Sequence, residues 1–220
     1  MAHEPKKATA ATAQTNRDAV ALYAMDDRQD FQDADRGFIA ALPGQVLGDD
    51  DGHVVFDQGN FAYLTDDAPA PDTVNPSLWR QSQVQRRSGL FKVVDGLYQV
   101  RNNDIGDLTV VEGDDGLVII DCMSGVESAR QGMAMVREHV SDKPVAAVIY
   151  THTHIDHYGG VKGIIDVADV ASGKVPIIAP GTIASFDKFA SARTWAPATP
   201  CPGGPVTRSA ACWTTAHKVW

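Results

Sequence analysis

Apolar and polar positions alternate in two registers along this chain. From residue 91 the pattern is short and strand-like. Phe91–Val94 and Leu97–Val100 flank Asp95-Gly96, a pair that favours the tight turn of a β-hairpin. Leu108–Val111 and Leu117–Ile120 flank the stretch from Gly113 to Gly116 and predict a second hairpin. The run 117–120 is continuously apolar, as a strand buried on both faces should be. The period then lengthens. Val126, Ala129, Met133, Val136 and Val140 recur at helical spacing, and Ser124 with Glu127 reads as a capping box in front of them. Val145–Tyr150 predicts another buried strand, Gly159-Gly160 the opening of a short helical stretch to about residue 170, Val175–Ala179 a strand, and Thr182–Ala190 a helix. Strands alternating with helices after two hairpins indicate layered α/β structure.

Residues 1–75 lack this regularity. Asp49-Asp50-Asp51-Gly52, Asp66-Asp67 and Pro69-Ala70-Pro71-Asp72 are turn signals. The segment reads either as a solvated extension or, given Phe31, Phe38, Phe56, Phe61 and Tyr63, as a layer over a neighbouring core.

Composition narrows the function. The 220 residues carry a net charge of −9, which argues against tracking nucleic-acid phosphates and against a basic membrane-surface module. No apolar run reaches the roughly 18 residues of a membrane span, and the first residues contain no hydrophobic signal core, so a cytoplasmic location is expected. Three cysteines, Cys122, Cys201 and Cys212, make no disulfide framework, and Cys122 is expected to be a small buried residue.

The chemistry concentrates in Thr151-His152-Thr153-His154-Ile155-Asp156-His157-Tyr158-Gly159-Gly160. Three imidazoles and a carboxylate fall within six residues directly after a buried strand, where α/β sheets place their sites. Given 7 histidines in the chain, chance produces that match on the order of once in a thousand such sequences. Neutral imidazole and carboxylate are zinc ligands. On an extended backbone His152 and His154 point to one side, and a turn brings Asp156 and His157 round to them. Gly159 and Gly160 permit close backbone approach. Asp121, at the end of the 117–120 strand, is either a turn or cap residue or a carboxylate that orients a ligand histidine from behind. His139 lies near its helix C-terminus and suits the dipole there.

His-x-His-x-Asp-His followed by Gly-Gly resembles the signature of the metallo-β-lactamase superfamily. Asp26–Phe31, Arg36–Ala40, Val74–Gln81, Gly96–Arg101, Val111–Asp114 and His152–Gly163 resemble the alkyl sulfatases within it, over roughly residues 20–190. Segment 26–81 separates this family from lactamases and thioester hydrolases of the same fold. The loop Asn102–Asp107 departs from the family pattern.

The resemblance implies an αββα sandwich, here its N-terminal half. The division is an extension over residues 1–80 packing on the core, the half-domain over 81–190, and a tail over 191–220. It implies two zinc ions and a hydroxide nucleophile that cleaves long-chain alkyl sulfates to alcohol and sulfate. His152 and His154 would hold one ion and Asp156 and His157 the other, with Asp156 also in a catalytic role and Asp121 behind them. Family members form homodimers, which does not carry over here. The tail holds two of the three cysteines, three of the four tryptophans and no acidic residue, and reads as out-of-frame translation slipping near residues 190–193. On that reading the chain by itself is inactive. The alternatives are a remnant with partial metal binding or another hydrolase of the superfamily.

Overall fold

In a computed structural model, the structure describes residues 6–180; the expected helix at 182–190 and the tail beyond it lie outside the described residues. The chain divides into two units, one of residues 1–36 and 58–87 and the other of residues 37–57 and 88–220.

The first unit contains more regular structure than its turn-rich sequence suggested. Its helices are α1 (Ala10–Val20), α2 (Gln29–Asp35) and α3 (Pro76–Gln85), with a 3-10 turn at Gln58–Phe61. Local chemistry starts two of them. The Thr9 hydroxyl accepts the Thr12 amide at the start of α1. Asn75 accepts the Ser77 amide ahead of Pro76, whose fixed φ suits the first turn of α3. Arginines organise the interior. Phe31 is buried, with the Arg28 guanidinium 3.5 Å from its ring centre and those of Arg80 and Arg87 at 5.0 and 5.1 Å. Arg87 forks to Asp35 and Asp66, Arg80 pairs with Asp30, and Arg86 donates to the Leu64 carbonyl. Hydrophobic periodicity is weak here because long polar side chains supply much of the packing.

The second unit is a seven-stranded sheet in the order β1-β4-β5-β6-β7-β8-β9, with a separate β2-β3 hairpin. The strands are β1 (Phe38–Ala40), β2 (Val46–Gly48), β3 (Val54–Asp57), β4 (Gly89–Val94), β5 (Leu97–Arg101), β6 (Leu108–Glu112), β7 (Leu117–Ile120), β8 (Val145–Ile149) and β9 (Ile177–Ile178). Both predicted hairpins form: β4 with β5 and β6 with β7, antiparallel. The sheet then turns parallel, β7 with β8 and β8 with β9. The change follows from the connection, since helix α4 (Val126–His139) carries the chain across from β7 to β8. Register aligns a row of side chains through four strands: Val110 opposite Ile119, Ile119 opposite Val148, Val148 opposite Ile177. All four are fully buried, as are Leu90, Val100 and Leu108 in the neighbouring row. Burying each such side chain contributes about 1.5–3 kcal/mol. Buried Ala129, Met133 and Val136 form the apolar stripe of α4, and its Gly132 sits against Leu108, Val100 and Met123.

Two local expectations are corrected. No capping box forms at α4. Its N-cap is Gly125 without a side-chain bond, and the Ser124 hydroxyl instead donates to Asp104 at 2.5 Å. Asp104 also takes the amides of Ser124 and Gly125 at 3.2 and 3.1 Å, so a carboxylate distant in sequence replaces the local cap. The helix after β8 also begins earlier than the glycine pair: α5 (Ile155–Tyr158) precedes Gly159, followed by a 3-10 turn at Val161–Gly163 and α6 (Val167–Ala171). Among the described residues no helix is long and apolar enough to cross a membrane.

Candidate metal centre

The ends of the parallel strands β7 and β8 build the site. Ile120 and Ile149 are in register, so the residues that follow them emerge side by side. After β7 the chain turns sharply, with Asp121 and Met123 in the left-handed region at φ 58° and 61°. That conformation costs a non-glycine residue about 1–2 kcal/mol, and Asp tolerates it better than most. The turn aims the Asp121 carboxylate across at the segment after β8. There Oδ1 accepts the Thr151 amide at 2.8 Å, and Oδ2 accepts the Thr151 hydroxyl and His157 Nδ1, each at 2.7 Å.

Residues 151–154 bend rather than continue the strand, and α5 then carries Asp156 and His157 back. Packing holds this short segment down. Tyr158 is buried against Tyr150, ring centres 5.9 Å apart; burial pushes the Tyr150 hydroxyl well above its ordinary pKa and raises that of Tyr158, so neither adds charge at neutral pH. The Cys122 amide donates to the His157 carbonyl and the Gly160 amide to the Met123 carbonyl. A Cβ at Gly160 would collide with the Cys122 carbonyl oxygen, which is why the glycine pair is needed here. The loop that departed from the family pattern lies alongside, with Gly106 so close to the Asp156 carbonyl that a Cβ there would also clash.

The structure brings the four expected ligand residues into two close pairs. His152 lies against His154 and His157, with ring centres 4.8 and 3.9 Å away. His152 Nε2 lies 3.1 Å from His154 Nδ1, and His157 Nε2 lies 3.3 Å from Asp156 Oδ2. Two ligand atoms on one tetrahedral zinc, with bonds of about 2.0–2.1 Å, stand about 3.3–3.4 Å apart. Both pairs have nearly that spacing. Moreover, a carboxylate can only accept, so His157 donates Nδ1–H to Asp121, which leaves Nε2 as the ring atom facing the oxygen of Asp156. An imidazole nitrogen and a carboxylate oxygen at this distance can both reach one cation. The donor set therefore suits a divalent metal. Thr151 and Asp104 carry no motif of their own in the sequence; only the contacts reveal them.

A second cluster sits at the tip of the β2-β3 hairpin, where Asp49, Asp51 and His53 bring ligand atoms within 4.8 Å of one another. Turn closure accounts for it. Asp49 accepts the amides of Asp51 and His53 at 3.0 and 2.7 Å and pairs with His53 Nδ1, and these bonds hold its carboxyl below the usual range.

Residues 101–209 match the sequence pattern of the metallo-beta-lactamase superfamily. The chain is 46% identical over 179 residues to a linear primary-alkylsulfatase of Pseudomonas sp., covering 81% of this chain and 27% of that protein. It is 46% identical over 177 residues to an (R)-specific secondary-alkylsulfatase of Pseudomonas sp., covering 80% of this chain and 26% of the relative. An alkyl/aryl-sulfatase of Saccharomyces cerevisiae is 45% identical over 80% of this chain. Among solved structures, the inverting sec-alkylsulfatase Pisa1 from Pseudomonas sp. superposes with a TM-score of 0.76 at 44% identity, covering 85% of this chain and 29% of that one. The chain thus spans about a quarter of the length of the curated relatives it matches.

Proposed function

Because this chain belongs to the metallo-β-lactamase superfamily, we propose that it carries the metal-binding turn of a zinc-dependent hydrolase that cleaves alkyl sulfate esters to alcohol and sulfate. The observation that carries the reading is the paired spacing at the turn, 3.1 Å between His152 Nε2 and His154 Nδ1 and 3.3 Å between His157 Nε2 and Asp156 Oδ2. His152 and His154 hold one ion, and Asp156 and His157 hold the second. Zinc bound there supplies Lewis acidity and lowers the pKa of bound water towards neutrality.

The chain's own residues prepare that site. Asp121 fixes the His157 ring from behind, and the buried Tyr158 anchors α5 beneath Asp156 and His157. Placing Asp156 at the site makes it the carboxylate nearest the chemistry. Residues 81–190 are the portion of the hydrolase domain that carries the turn, residues 1–80 an extension to it, and the small-molecule partner is an alkyl sulfate.

The test is a chimera. Residues 20–190 replace the matching stretch of the Pseudomonas linear primary-alkylsulfatase, and sulfate release from dodecyl sulfate is measured. Retained turnover that His152→Ala abolishes supports the reading. A well-folded, zinc-loaded chimera without turnover contradicts it. For the 220 residues by themselves a narrower reading applies. The described residues offer two protein ligands per ion, below the three of an ordinary catalytic zinc, so they bind metal without turnover.

A further inference from the structure

We infer that Thr151 is a positioning residue: it relays the Asp121 carboxylate to His152 and thereby decides which imidazole nitrogen faces the metal. The inference rests on the reading of residues 152–157 as a metal site and extends it to a residue outside the ligand set.

The Thr151 hydroxyl lies 2.7 Å from Asp121 Oδ2 and 3.0 Å from His152 Nδ1. A carboxylate has no proton to give, so the single hydroxyl proton goes to Asp121. Oγ1 is then left with lone pairs only, and His152 Nδ1 must donate to it. A neutral His152 with its proton on Nδ1 presents the bare Nε2, the atom that faces His154 Nδ1 at 3.1 Å. Asp121 Oδ1 also holds the Thr151 amide at 2.8 Å, which keeps the Thr151 backbone beside the same carboxylate. The same carboxylate takes His157 Nδ1–H directly. One acid therefore orients a histidine in each ligand pair, one by direct contact and one through a hydroxyl. Partners behind a ligand histidine typically change metal affinity by about 10–100-fold.

The test uses the full 220-residue chain as wild type, Thr151→Val, Thr151→Ser, Thr151→Ala and His152→Ala. Long-range 1H–15N spectra of the metal-free proteins report the His152 tautomer, and chelator competition reports zinc affinity. The relay predicts Nδ1–H at His152 in wild type and T151S. It predicts a shift towards Nε2–H in T151V and T151A, with zinc held about 10-fold more weakly while T151S stays near wild type. A wild-type His152 already protonated on Nε2 overturns the relay, and so does T151V with wild-type tautomer and wild-type affinity. Should T151V fail to fold, T151A and the wild-type tautomer still decide. If His152→Ala leaves zinc affinity unchanged, the metal reading fails, and that outcome is distinct from a wild-type tautomer that contradicts the relay alone.

Discussion

The Asp121 carboxylate accepts His157 Nδ1 at 2.7 Å across the gap between two parallel strands. Asp121 is buried and its backbone sits at φ 58°, so the protein maintains a strained residue in order to aim this group. Replacing it with alanine leaves His157 Nδ1, the Thr151 amide and the Thr151 hydroxyl without their acceptor. Asp121→Ala is therefore expected to weaken zinc binding by about 10–100-fold, measured by chelator competition. Unchanged affinity would mean that the carboxylate serves only the turn.

Gly160 gives a prediction about packing. An added methyl meets the Cys122 and Gly125 carbonyls and Ala129, none of which can withdraw easily. Gly160→Ala should cost about 1–3 kcal/mol in urea unfolding and disturb the neighbouring turn. Gly173→Ala is the control: its φ is +76° with nothing within 4 Å, so only left-handed strain of about 1–2 kcal/mol applies, and metal affinity should not move.

In the first unit, Arg87 links Asp35 and Asp66, and its hydrogen bond holds the Asp66 carboxyl below its ordinary value. A carboxyl with a depressed folded pKa stabilises above its unfolded pKa, and the contribution fades as pH falls through the folded one. Arg87→Ala should thus lose about 1–3 kcal/mol at pH 7, and the gap from wild type should narrow below about pH 4. Urea unfolding at both pH values checks this. An equal gap at pH 3 would assign the loss to packing on Phe31 instead.

Cys122 is fully buried and burial pushes its thiol well up, so it is expected to resist thiol reagents until the chain unfolds. In a Cys201→Ser, Cys212→Ser background, labelling should appear only with denaturant. Prompt labelling in buffer would place Cys122 in an open segment.

Much of the second unit was legible in the sequence because its signals are local. Asp95-Gly96 fixes one hairpin, the apolar run 117–120 marks a strand buried on both faces, and the histidine turn follows a strand directly. Three features were not legible. The cap on α4 comes from Asp104, some twenty residues away, so the nearby Ser124 and Glu127 misled. The first unit packs through guanidinium groups rather than an apolar stripe, which left Phe31 looking like a residue for another core. Thr151 looks like an ordinary strand-end residue until Asp121 is placed beside it. Long-range polar pairing, invisible to periodicity, explains all three.

Metal analysis with X-ray absorption on the purified 220-residue chain asks whether residues 152–157 grip a divalent cation. After zinc loading and dialysis, the expected result is bound zinc with nitrogen and oxygen neighbours at about 2.0–2.2 Å, lost when His152, His154, Asp156 and His157 are all replaced by alanine. A wild-type chain that retains no zinc, or a quadruple variant that retains as much as wild type, would contradict it.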